Sequence, residues 1–203
     1  RAPSAWVLAE ACGARLCSTQ SSIFLNLAPH LLMAILLSEE NPLHASPALY
    51  VVATPLGNRQ DITLRALAVL KAVGTVAAED TRHSMRLLDA HGIKPRLLAL
   101  HEHNEQEGAT RIIALLEAGQ HVALITDAGT PAVSDPGARL VARVQDAGYP
   151  VVPVPGPCAA ITALVGSALP PDRFVFLGFL PRDTGPREAL LESRRHEGAT
   201  LVL

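Results

Sequence analysis

From Leu49 onward the chain alternates short apolar runs with longer stretches in which apolar side chains recur every three or four residues, the periods of strand and helix. Leu49 to Thr54 is the first run; the turn Pro55-Leu56-Gly57-Asn58 follows, then a helix that Asp61 can cap, with Ile62, Leu67 and Leu70 on one side. A second unit has a strand from Thr75 to Ala78 and a helix from Arg82 to His91, ended by Gly92. The third has a strand from Arg96 to Leu100, the polar loop His101-Glu102-His103-Asn104, and a helix from Glu105 to Ala118 before Gly119. In the fourth, the run His121 to Thr126 leads through a loop starting at Asp127 to a helix with Asp135 as cap, Pro136 in its first turn and Gly148 as its stop. Val151 to Val154, Pro155-Gly156-Pro157 and a helix from Cys158 to Ala168 complete a fifth.

Five such units within residues 49–168 predict a parallel sheet with helices on both faces, because parallel strands need crossover connections and these are right-handed. The expected class is doubly wound α/β. Residues 48–169 form its first domain in this reading, and residues 1–47, which lack the same punctuation, form an appendage. Met33 is the hypothesised native start; a natural N-terminal peptide containing Ser4 to Gln20 in a mass spectrum would refute that. Pro170-Pro171 marks a boundary, after which Phe174 to Leu180, a charged helix near Pro186 to Glu197 and Thr200 to Leu203 restart the alternation. Residues 170–203 therefore read as the start of a truncated second α/β domain.

Composition narrows the classes. The chain has 203 residues, 49% hydrophobic and 18% charged, which is enough apolar material for a core and argues against disorder. A net charge of −2 supplies no global basic field, so nucleic-acid contact would need a local patch. Cys12, Cys17 and Cys158 are too few for a disulfide framework and fit a reducing, cytoplasmic setting. The apolar stretch Ile23 to Leu37 is broken by Asn26, Pro29 and His30, so no membrane span is expected.

In a parallel sheet the strand-to-helix loops gather on one edge, where open α/β sheets bind ligands. The fourth loop, Asp127-Ala128-Gly129-Thr130-Pro131-Ala132-Val133-Ser134-Asp135, is the richest. It resembles the phosphatase pattern D-x-D-G-T but fails it, since Ile125 stands at the nucleophile position and Ala128 precedes the glycine. Neither a Walker phosphate loop nor a G-x-G-x-x-G turn follows a strand. A glycine-bearing turn with exposed main chain can hold an adenosine-type cofactor instead, or serve turn geometry alone. Pro157-Cys158-Ala159-Ala160 puts small side chains at a helix start, and Cys158, with no evident base beside it, reads as a small hydrophobe. His101 and His103 lack the further ligands of a closed metal site and read as substrate contacts, so no metal is expected. Glu79-Asp80-Thr81-Arg82-His83 suits either the orientation of a substrate hydroxyl near phosphate or a helix capped by Asp80 with Arg82 solvated.

Six segments, Leu49 to Leu67, Ala77 to Ser84, Leu100 to Glu105, Leu124 to Gly137, Val152 to Leu164 and Leu169 to Arg182, together resemble the ribosomal RNA small-subunit methyltransferase I family of the tetrapyrrole methylase superfamily. The resemblance implies 2'-O-methylation of a cytidine in 16S rRNA of the small ribosomal subunit, with S-adenosylmethionine as donor and a homodimeric enzyme. It implies cofactor contacts by Thr54, Pro55, Gly57 and Asn58, by Asp127, Ala128, Gly129, Thr130, Pro131, Val133 and Ser134, and by Pro157, Cys158, Ala159 and Ala160. Asp80 is the leading candidate base, Arg82 the phosphate contact, and His101 or His103 the alternative base. The alternatives are a tetrapyrrole methyltransferase and a non-catalytic rRNA-binding module. Because the second domain reads as incomplete, the chain alone is expected to bind the cofactor weakly and to be inactive.

Overall fold

The computed structural model describes residues 42–101 and 104–203, so the expectations for the appendage before residue 42 and for His103 lie outside the described residues. Among the described residues, seven strands and six α-helices alternate: β1 (Leu49–Val52), α1 (Leu64–Ala72), β2 (Thr75–Ala78), α2 (Thr81–Ala90), β3 (Arg96–Ala99), α3 (Glu105–Glu117), β4 (Val122–Ile125), α4 (Ala138–Asp146), β5 (Val151–Val154), α5 (Ala159–Gly166), β6 (Phe174–Phe176), α6 (Thr184–Ser193) and β7 (Thr200–Val202). The first five strands form one sheet in the order β3-β2-β4-β1-β5, and every pairing in it is parallel.

That order has a direct consequence for the faces. From β1 the chain steps to β2 and β3 in one direction across the sheet; from β3 it steps back through β4 to β5. Right-handed crossovers then put α1 and α2 on one face and α3 and α4 on the other. The strand side chains divide accordingly. Tyr50, Val52, Val76, Ala78, Ala123 and Ile125 pack with Ala66, Val69, Leu70 and Leu88, whereas Leu49, Val51, Ala77, Val122 and Leu124 pack with Ala109, Ile112, Leu116, Leu140 and Val144. Covered on both sides, β4 is an unbroken apolar run, and full burial of Leu124 or Ile125 contributes about 1.5–3 kcal/mol each.

Several local expectations need correction. Asp61 lies in a 3-10 turn (Arg59–Asp61), and the cap of α1 stands two residues later, where the Thr63 hydroxyl accepts from Ala66 N at 3.1 Å. Asp135 does not cap α4, which starts only after Gly137. Between α3 and α4 the Arg143 guanidinium donates to Gln106 O at 2.8 Å and ties the two helices together. The run Leu49 to Thr54 ends as a ladder strand at Val52, leaving Thr54 to bridge elsewhere. The helix expected from Cys158 to Ala168 spans Ala159–Gly166.

Beyond α5, β6 and β7 form a separate parallel two-stranded sheet, with α6 as the crossover. A small apolar cluster of Ala160, Leu164 and Val202, with Cys158 against it, joins α5 to β7. This joint decides the position of the cleft described next.

Candidate functional site

Strands β1 and β2 feed helices on one face while β4, lying between them, feeds a helix on the other. The chain therefore parts on both sides of β4 at its carboxyl end, the arrangement in which such sheets take ligands. Beside β1 the parting is bridged. Thr54 N donates to Gly129 O at 2.8 Å, Gly129 N returns a bond to Thr54 O at 3.0 Å, and the buried Thr54 hydroxyl donates to Thr126 O at 3.0 Å. Thr130 Oγ1 donates to Pro157 O at 2.9 Å, so the loops after β1, β4 and β5 are held to one another.

Two glycines permit this path. Gly129 has φ 86°, and a Cβ there would stand 3.1 Å from Leu56 Cδ2. Gly137, at φ 126°, lies against the core, and a Cβ would come within 2.7 Å of Leu124 Cδ2. Between them Ala132 (φ 66°) and Ser134 (φ 60°) are left-handed without being glycine, a conformation that persists only where the surroundings impose it.

The loop, the start of α5 and the β6–β7 sheet enclose a cleft of about 260 Å³. Of the residues expected to hold a cofactor, Ala128, Gly129, Thr130, Val133, Ser134, Cys158, Ala159 and Ala160 line it. Thr54, Pro55 and Pro131 are buried, Asp127 and Pro157 stand outside the lining, and Gly57 and Asn58 are exposed, with the Asn58 side chain accepting from Gln60 N. Phe176, Gly178 and Phe179 form the opposite wall, which the sequence reading did not assign to the site. Phe179 is 84% exposed, and so large an apolar side chain left in water is the signal that marks it afterwards. The walls are small or apolar with few polar groups, the character of a site for a flat organic ligand.

The two helix ends nearby differ in what they can accept. The amino end of α4 is filled, because one oxygen of the buried Glu105 carboxylate accepts from Gly137 N, Arg139 N and Leu140 N at 3.0, 3.1 and 3.3 Å. A phosphate has no place there. The amino end of α5 carries no side-chain cap, and its first residues face the cleft.

Beside β2 the edge is acidic. Asp80 caps α2, accepting from Arg82 N at 2.7 Å and His83 N at 3.4 Å; those bonds, helped by the Arg82 and His83 charges, hold its carboxyl below the usual range. Glu79 moves the other way, raised first by burial and then by Asp127, Asp135 and Asp80. Asp135 is also raised, mainly by burial and further by Asp127, with the Thr126 hydroxyl opposing. Thr126 is 2% exposed, and its buried hydroxyl faces Asp135 without closing a hydrogen bond of ordinary geometry. Asp127 Oδ1 accepts from Asp80 N at 3.4 Å, which joins the acidic edge to the cofactor loop. A carboxyl held low is a weak proton acceptor, so of the two neighbours Glu79 is the stronger base, although within its segment only Asp80 was expected in that role. Its signal is tertiary, since Asp127 and Asp135 follow a different strand. His101 stands at the end of β3, its backbone N donating to Asn104 Oδ1 at 2.8 Å. Among the described residues no group of three or more His, Cys, Asp or Glu side chains is arranged to hold a metal ion.

Comparison with known proteins agrees with this geometry. The family profile for Tetrapyrrole (Corrin/Porphyrin) Methylases matches residues 48–203. The chain belongs to that family. Among curated relatives, this tetrapyrrole methylase is 56% identical over 156 residues to ribosomal RNA small subunit methyltransferase I of Mesorhizobium japonicum, covering 77% of this chain and 53% of the relative. It is 54% identical over 154 residues to the protein of the same name from Escherichia coli O157:H7, covering 76% and 54%. The methylase chain thus spans about half the length of the curated relatives it matches. A solved uroporphyrin-III-C-methyltransferase from Thermus thermophilus superposes with a TM-score of 0.50 at 28% identity, covering 64% of this chain and 58% of that one.

Proposed function

We propose that this chain carries the cofactor-binding part of an S-adenosylmethionine-dependent methyltransferase that modifies small-subunit ribosomal RNA at the 2'-oxygen of a cytidine. The observation that carries the reading is the cleft itself: an apolar, glycine-floored pocket at the carboxyl edge of a parallel sheet, beside a helix end already filled by Glu105. Such a pocket suits an adenosine group without phosphates, and the uncapped start of α5 is placed for a carboxylate. The high identity to relatives named for rRNA methylation supports the substrate class.

S-adenosylmethionine, when bound, supplies an electrophilic methyl on a sulfonium. The Gly129 main chain with Ala128, Thr130, Val133 and Ser134 would hold it from one side, and Cys158, Ala159 and Ala160 from the other, while Thr54, Pro55, Gly57, Asn58, Asp127, Pro131 and Pro157 act by setting those loops. A ribose hydroxyl is a poor nucleophile at neutral pH, so a group that orients it or takes its proton contributes directly. Asp80 accepts hydrogen bonds and suits orientation; Glu79 suits proton removal; His101 and His103 are the alternative base. Arg82 and Arg86 are exposed on α2 for phosphate contact. The proposal also gives the protein a cytoplasmic setting and a second copy as partner.

The test is transfer of labelled methyl from S-adenosylmethionine by the full gene product carrying this chain, offered unmodified small ribosomal subunits and, separately, a tetrapyrrole. Label on a cytidine 2'-oxygen is expected. Label on the tetrapyrrole alone would favour the reaction of the solved neighbour, and rRNA binding without transfer would favour a non-catalytic module. Glu79→Gln should lower transfer more than Asp80→Asn does, with cofactor affinity kept in both.

A further inference from the structure

The loop that floors the cleft is held at two points. Its entry is fixed by the paired Thr54 and Gly129 main chains, and its exit by Glu105, the first residue of α3. Glu105 is 6% exposed, and a carboxylate that deeply placed needs partners; it has three, all main-chain N–H groups at the start of α4. Those donors would otherwise be left over at the helix end, and no side chain of α4's own entry caps them. The anchor is itself tied down. Asn104, immediately before Glu105, accepts from His101 N at 2.8 Å and donates to Ala99 O at 3.1 Å, and Ala109, Ile112 and Leu116 fix the helix in the core. Between the two clamps lie Ala132 and Ser134 in left-handed conformations, and from that stretch Val133, Ser134 and Asp135 line the cleft.

We infer that Glu105 is a positioning residue for the cofactor, acting through α4's first amides to keep the loop 129–137 in the shape that floors the cleft. The inference rests on the cofactor reading above. It assigns Glu105 no contact with cofactor or substrate. Its effect is to keep the strained stretch from relaxing to right-handed backbone, which would carry Val133 and Ser134 off the cleft wall.

The experiment compares Glu105→Ala, Glu105→Gln and the core control Leu116→Ala in two measurements: amide hydrogen exchange resolved over residues 127–141, and calorimetric affinity for S-adenosylmethionine. In Glu105→Ala, exchange should rise at Gly137, Arg139, Leu140 and across the loop, and affinity should fall roughly tenfold or more, as expected when a charge-assisted bond set is lost. Glu105→Gln, which keeps an acceptor oxygen without the charge, should fall between parent and Ala in both. Leu116→Ala, which opens a core cavity in the same helix, should lower stability without raising exchange selectively in the loop or weakening the cofactor comparably. Unchanged loop exchange in Glu105→Ala, or an equal affinity loss in Leu116→Ala, would overturn the inference. The parent in both measurements is the full gene product carrying this chain; should it bind no S-adenosylmethionine, the cofactor reading fails, while the exchange measurement still decides whether Glu105 sets the loop.

Discussion

Replacing Gly129 by alanine tests the floor of the cleft at the residue where three loops meet. The residue sits at φ 86°, so an alanine there takes a left-handed conformation costing roughly 1–2 kcal/mol. The added Cβ stands 3.1 Å from Leu56 Cδ2 and 3.9 Å from Pro157 O. The first contact is tight, but it is made by the terminal methyl of a half-buried side chain that can turn aside, so strain is the larger cost. For a chain of this size, 1–2 kcal/mol lowers Tm by about 2–8 °C. Gly148→Ala is the matched control, since Gly148 has φ 81° with nothing within 4 Å of the added carbon and lies far along the chain from the loop. Thermal melts by circular dichroism should show both variants lowered, Gly129→Ala by at least as much as Gly148→Ala. Only Gly129→Ala should also weaken S-adenosylmethionine. A Gly129→Ala chain melting within about 1 °C of the parent would show that the backbone there carries no left-handed requirement, and the account of the floor would fail.

Two further outcomes concern pH. Glu79 has its folded pKa raised by burial and by Asp127, Asp135 and Asp80, so its contribution to stability is full below the ordinary carboxyl value and is lost as pH rises through the raised one; urea midpoints of Glu79→Gln should therefore decline less over that interval, and parallel curves for variant and parent would refute the placement. His121, at the opposite edge of the sheet, is lowered by burial and by His44, and its neutral Nδ1 accepts from Ala48 N at 3.2 Å. Its contribution is present above the ordinary histidine value and lost as pH falls through the lowered one, so the parent should weaken in mild acid and His121→Asn should lose that dependence in the same assay.

The strands and their order of appearance were legible because the buried strands are mostly apolar runs and most of the breaks between elements carry Gly, Pro or Asp. Boundaries were less so. Asp61 and Thr63 are both good caps two residues apart, and only the geometry of the turn after Asn58 assigns the role to Thr63. Asp135-Pro136 has the composition of a helix start, yet the donors it was expected to satisfy are taken by Glu105 from another helix. Eight of the proposed cofactor contacts do line the cleft, because small residues after a parallel strand are a local signal. The aromatic wall is not local, since Phe176 and Phe179 reach it only through the packing of α5 on β7.

By itself, then, the sequence determined which segments become strands and helices, that the sheet is parallel and covered on both faces, and which strand-end loop is richest in turn residues. Each of these follows from periodicity and backbone preference within a few residues. The tertiary structure alone decided the strand order, the clamping of that loop by Thr54 and Glu105, and the opposite pKa shifts of the neighbours Glu79 and Asp80. Hydrogen bonds and fields of this kind depend on distances in space between residues far apart in the chain, and no local pattern records them.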